Sequence, residues 1–206
     1  YSDNQAFKTR TAYIWNESVV PTTGGGWGQS DRLQIRRVNY ALARITDLAK
    51  TDEVKRYEGE IRFFKSFFYF QKVKRFGDVP WLEKDLNIDS DELFAGRDSR
   101  TDVVANILSD LDFAIENLPE TDAAGRITKY AALTLKTEVC LYEGTFRKYH
   151  GLGNYENLLS EAASSAEQIM NSGLFGVYST GNTERDYFDL FVQYDLTGNP
   201  EAILFK

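Results

Sequence analysis

The sequence predicts an all-α domain of antiparallel helix pairs, with irregular loops and little or no strand. Three observations carry that expectation. Apolar residues recur at spacings of three and four along most of the chain, which is the period of one helix face. Ser, Thr or Asp precedes these stretches and Gly or Pro follows several of them, as at helix starts and stops. Two consecutive stretches in the second half are joined by a short Gly-Leu-Gly turn, which pairs neighbouring helices. The 206 residues read as a single helical domain. Within it, residues 1–32 form a loop-rich entry, 33–173 a helical core and 174–206 an irregular tail.

The first helix carries Ile35, Val38, Leu42, Ile45 and Leu48 on one stripe, with Asp31 placed to accept from free amides at its start. The second runs from about Glu53 to Arg75 and has aromatic residues on several sides, among them Phe63, Phe64, Phe67, Phe68 and Phe70. A helix apolar all round is sandwiched between others, so it is expected to be the buried spine. Gly77 stops it, and Pro80 extends Val79. Trp81 reads as packing under the loop that follows. Ser99, with Asp102 three residues on, opens a third helix bearing Val103, Val104, Ile107, Leu111 and Ala114. Thr128 opens a fourth, with Ala131, Leu135, Val139 and Tyr142. The fifth carries Ala162, Ala163, Ala166 and Ile169 and closes at Gly173. Ala131 and Ala132 are expected to face Ala162, Ala163 and Ala166, and the spacing resembles a tetratricopeptide unit. Residues 186–191 read as a short helical turn and 202–205 as the start of a strand.

Several function classes are disfavoured. A net charge of −7 speaks against nucleic acid, whose phosphates call for clustered Lys and Arg. One cysteine, Cys140, and one histidine, His150, make neither a disulfide framework nor a metal-ligand set. Cys140 lies in an apolar helical run and reads as a buried thiol. The glycines at 24–26 lack the Lys-Ser/Thr of a phosphate-binding loop. Asp110, Asp112, Glu116 and Glu120 read as acids on solvated helix faces. No nucleophile elbow appears, so an enzyme is not expected, and no cofactor is called for.

The order Gly59-Glu60, Arg62-Phe63, Phe67 and Tyr69-Phe70, ending in Arg75-Phe76-Gly77-Asp78-Val79-Pro80, resembles the SusD/RagB family. Further blocks follow in family order: Ile35-Arg36 with Asn39 before it, then Arg97 with Ser99, Asp110-Leu111 with Leu118-Pro119, Gly125-Arg126 with Thr128-Lys129, and Leu190-Phe191 with Glu201. The resemblance implies a cell-surface lipoprotein of the outer membrane that captures oligosaccharide, or peptide, and delivers it to a SusC-like TonB-dependent transporter. It implies a lipid anchor upstream of Tyr1, because family members are longer than this chain, which reads as a fragment of one. Aromatic residues from loops near the first helices contribute to glycan binding in that family. Trp15 and Trp27 offer indole faces for sugar rings, and Asn16, Gln29 and Asp31 offer groups for hydroxyls. The alternative is that the two tryptophans pack against the helix bundle. At the level of the whole chain, the alternatives are a tetratricopeptide-type peptide-binding scaffold and a hydrolase.

Overall fold

A computed structural model describes residues 25, 26 and 28–205. The chain divides at Gln34 into two units. In the first, the described residues are a turn at Gly25 and Gly26 and the opening turns of α1 (Gln29–Ile45). There Asp31 accepts from the amide of Gly28 at 3.0 Å, the acidic half of a reciprocal cap.

The second unit holds the rest of α1, then α2 (Asp52–Phe76), α3 (Arg100–Asn117), α4 (Lys129–Tyr149), α5 (Tyr155–Met170) and the short α6 (Asp186–Phe191). A single 3-10 turn at Asp91–Phe94 and one isolated bridge, Val79 to Asp98, complete the regular structure among the described residues. The helix starts follow their caps. Thr51 accepts from the amide of Val54, Ser99 from that of Asp102 and Thr128 from that of Ala131, each satisfying a donor the helix leaves orphaned.

The helices pack in chain order, α2 on α3, α3 on α4 and α4 on α5, with α2 also touching α4. The pairs are antiparallel. On α2 and α3, Arg62 meets Asp110 and Ser66 donates to the Ile107 carbonyl at 3.2 Å. On α3 and α4, Asp112 meets Lys136 while Arg100 meets Glu143. On α4 and α5, Lys136 meets Glu161, and Gly144 lies beneath Leu158 and Leu159.

That last register puts a close approach at Gly144. Gly144 and Cys140 face Leu158, Leu159 and Ala162, whereas Ala163 is exposed. Ala131 and Ala132 are buried but sit near the start of α4, the end that faces the C-terminal end of α5.

The second helix is buried on one side rather than all round. Phe63, Ser66, Tyr69, Phe70 and Val73 form its core face. Phe64 and Phe67 are 41% and 40% exposed and Phe68 is half-buried. These outer rings pack on one another, Phe64 with Phe68 at 6.2 Å and Phe67 with Phe68 at 5.7 Å. α3 and α4 contact only one side of the helix, so aromatic residues placed all round it cannot all be covered by them. Leu48 also lies off the core, 54% exposed, because α1 ends at Ile45. Residues 202–205 form a bend rather than a strand, and the chain just before them is tied back where Gly176 donates to the Pro200 carbonyl at 3.1 Å.

Candidate ligand cleft

The bend that ends α2 organises this region. Gly77 takes φ 70° and its amide donates to the Val73 carbonyl at 2.9 Å, a backbone state open to glycine. The next residues are fastened to the start of α3 from both sides. Asp78 accepts from the amide of Arg100 at 2.8 Å, and Asp98 accepts from the amide of Trp81 at 2.6 Å. The Asp98 amide in turn donates to the Val79 carbonyl at 3.2 Å. The Gly-Asp-Val-Pro run is therefore a joint between two helices as well as a helix stop.

From Trp81 the chain crosses back towards α1. Asn39, 1% exposed, donates through Nδ2 to the carbonyls of Leu82 and Lys84 at 2.8 and 3.1 Å. The buried Tyr69 hydroxyl accepts from the Leu82 amide at 2.8 Å. Burial pushes that phenol well above its usual range, so it remains a neutral hydroxyl. Arg36 and Arg44 approach Asp85 at 3.7 and 3.9 Å.

Residues 81–85 thereby roof a cleft of about 550 Å³. Leu42 and Ala43 of α1, with Thr46 just past its end, line one wall, Arg62 and Lys65 of α2 the floor, and Asn106, Ser109 and Asp110 of α3 the other wall. A neighbouring hollow of about 350 Å³ shares Trp81, Glu83, Lys84 and Asn106 and is rimmed by Glu92, Asp98 and Asp102.

The floor is charged and largely closed. Arg62 is its hub: Nε and Nη2 donate to Glu58 at 3.0 and 2.8 Å, and Nη1 to Asp110 Oδ1 at 2.5 Å. Lys50 also donates to Glu58 at 2.7 Å. Burial raises the Glu58 carboxyl, but the bonds from Lys50 and Arg62 outweigh it and hold the group below its ordinary range. At Asp110 burial wins over Lys65 and Arg62, and the carboxyl is raised. Lys65 is lowered, burial again outweighing Asp110 and Glu83. Its Nζ lies 3.9 Å from Asp110 Oδ2 and 4.3 Å from the centre of the Trp81 ring. Trp81 also packs against Tyr69 at 4.2 Å, which bears out its place under the loop.

Asp110 is a correction to the sequence reading. It is 5% exposed and belongs to the interior, not to a solvated face. The signal was present: a carboxylate within the apolar stripe of Ile107, Leu111 and Ala114. Its partners Arg62 and Lys65, on another helix, carried no comparable mark. Of the residues expected to meet ligand, Trp15, Asn16 and Trp27 lie outside the described residues, as does the side chain of Gln29. Asp31 is half-buried and engaged in its cap. Cys140 is buried as expected, its thiol pushed up to about 11 by that burial.

Comparison with known proteins gives a consistent answer. A SusD-like family model described as "Starch-binding associating with outer membrane" matches residues 4–141. SusD-like protein P38 of Formosa agariphila is 25% identical over 190 residues, covering 91% of this chain and 35% of its own length. A SusD-like protein of Bacteroides ovatus is 27% identical over 161 residues, covering 78% of this chain and 27% of its own. Among solved structures, a SusD-like protein from Bacteroides fragilis aligns with TM-score 0.59 and 30% identity over 71% of this chain and 27% of that one. A structure described as a laminarin-binding SusD-like protein aligns with TM-score 0.57 and 26% identity, over 74% of this chain and 31% of that one. The chain thus spans about a third of the length of these relatives.

Proposed function

The chain belongs to the SusD-like family, and from that premise we propose that it serves non-catalytic capture of oligosaccharide at the outer-membrane surface, for delivery to a SusC-like TonB-dependent transporter. The observation that carries the reading is the family match across residues 4–141, described in terms of starch binding and the outer membrane. The likeness to a structure described as laminarin-binding supports a glycan as ligand. Attachment through an upstream lipid and hand-over to a transporter rest on kinship alone. No helix among the described residues is long and apolar enough to cross a membrane.

In this reading, glycan contacts come from Trp15, Asn16, Trp27, Gln29 and Asp31 together with sequence outside this chain, and the helices supply the scaffold. The 206-residue chain alone then binds polysaccharide weakly or not at all. Affinity electrophoresis through gels containing soluble polysaccharides tests this. Retardation of the full gene product, with little or none for this chain, is the expected pattern. Equal, strong retardation of both would place the whole site within these residues and overturn the division.

A further inference from the structure

We propose that the cleft roofed by residues 81–85 is a second ligand site, one that takes a neutral polyhydroxyl molecule such as a single sugar ring. One hydroxyl of that molecule bridges Lys65 Nζ and Asp110 Oδ2. The proposal rests on the glycan-capture reading for the kind of molecule supplied, and on the cleft itself for the place.

Asp110 provides the first reason. Its side chain is 7% exposed, and Oδ1 is taken by Arg62. Oδ2 is buried, belongs to a residue that lines the cleft, and accepts no hydrogen bond among the described residues. A desolvated carboxylate oxygen without a donor is costly, so a donor arriving from the cleft gains more there than at a solvated surface.

Lys65 narrows the chemistry. Its side chain is 6% exposed and its Nζ stands 3.9 Å from Oδ2, an ion pair but beyond hydrogen-bond length. A group that completes both partners must donate to the carboxylate and accept from the ammonium. A hydroxyl does both; an ammonium cannot accept, and an ionised carboxylate cannot donate. The lining has no net charge to draw an ion, since Arg62, Lys65 and Lys84 are matched by Glu83, Asp85 and Asp110.

The remaining walls suit the rest of a sugar. Asn106, one helical turn before Asp110, and Ser109 present an amide and a hydroxyl in the same wall. Leu42 and Ala43 present apolar surface to the C–H face. The volume, about 550 Å³, lies within the range of small-molecule sites.

Amide NMR spectra of the full 206-residue chain, titrated with methyl glycosides of glucose, galactose and mannose, test the assignment. At least one should give saturable shifts at the Asn106 side-chain amide, Asp110 and the Trp81 indole. Asp110→Asn and Asn106→Ala should each weaken binding about tenfold, the scale of one hydrogen bond to a charged or well-placed group. Asn106 is half-buried, so its variant keeps the test decisive if Asp110→Asn fails to fold. Absence of shifts at the cleft with all three glycosides, or undiminished binding by Asn106→Ala, would overturn the proposal. Polysaccharide retention by the full gene product without cleft shifts would sink the cleft and leave the capture reading standing. Cleft shifts without retention of any polysaccharide would do the reverse.

Discussion

Replacing Glu143 with Gln tests the packing of the fold at its most concentrated point. Glu143 is 1% exposed and its two carboxylate oxygens are each claimed by an arginine. Arg100 Nε donates at 2.6 Å from the first turn of α3, and Arg147 Nε at 2.8 Å from the next turn of α4. The arginine side chains are themselves 13% and 8% exposed. Glutamine preserves shape, so no cavity term enters. It removes the charge that neutralises two buried guanidinium groups, and it can accept at its oxygen while its NH₂ faces a second donor.

Breaking a buried pair in this way costs about 3–5 kcal/mol. The lower end applies here, because the Arg100 guanidinium keeps its stacking on Phe146 at 3.7 Å and the partly exposed side chain can shift towards solvent. The expected loss is about 3 kcal/mol, a large share of the 5–15 kcal/mol typical of a domain. Urea denaturation followed by far-ultraviolet circular dichroism, extrapolated to water, measures it. Adding Arg100→Met to Glu143→Gln should recover about 1 kcal/mol, since it removes one of the uncompensated charges. A loss under about 1 kcal/mol for Glu143→Gln, with unchanged m-value, would refute the claim that this triad is an electrostatically closed unit.

Three further outcomes follow from other sites. In Gly144→Ala the new Cβ lies 2.9 Å from Leu159 Cδ2 and 3.3 Å from Leu158 Cβ. The overpacking, about 1–3 kcal/mol, should exceed the helix-propensity gain of about 1 kcal/mol and lower the melting temperature. Glu58 has its native pKa below the ordinary 4.5, so its ion pairs stabilise the fold above that pH and the contribution is lost as pH falls through and below it. Asp110, raised by burial, has the opposite sign. Glu58→Gln should therefore be less stable than the parent at neutral pH, with the gap narrowing on acidification; parallel curves of melting temperature against pH would contradict this. Cys140, buried with its thiol pushed up to about 11, should resist a thiol-specific chromogenic reagent at neutral pH until the chain is unfolded.

The helices were legible because their caps and stops are local. Thr128, Ser99 and Gly77 act within a few residues of where they stand, and the structure keeps each role. The alternation of apolar residues likewise placed Ile35, Val38, Ile107 and Leu111 in the core. What the period could not supply was sidedness on α2. Phenylalanines at 63, 64, 67, 68 and 70 occupy several faces, and which of them is covered depends on where α3 and α4 lie. The alanine pairing lacked register for a related reason: Ala162 meets Cys140 and Ala163 is exposed, while Gly144 lies against Leu158 and Leu159. Asp78 and Asp98 are adjacent to readable features, but their exchange with Arg100 and Trp81 spans about twenty residues and is visible only in three dimensions. The cleft shares this property. Asn39, Lys65, Trp81 and Asp110 come from three helices and a loop, and no spacing in the chain links them.

Glycan capture without chemistry is tested most directly by presenting the full gene product with a panel of soluble polysaccharides, including laminarin, and recording gel retardation and new reducing ends side by side. Retardation by at least one polysaccharide, with no rise in reducing ends, is the predicted result. Free migration through every glycan gel, or reducing ends that accumulate with time, would contradict it.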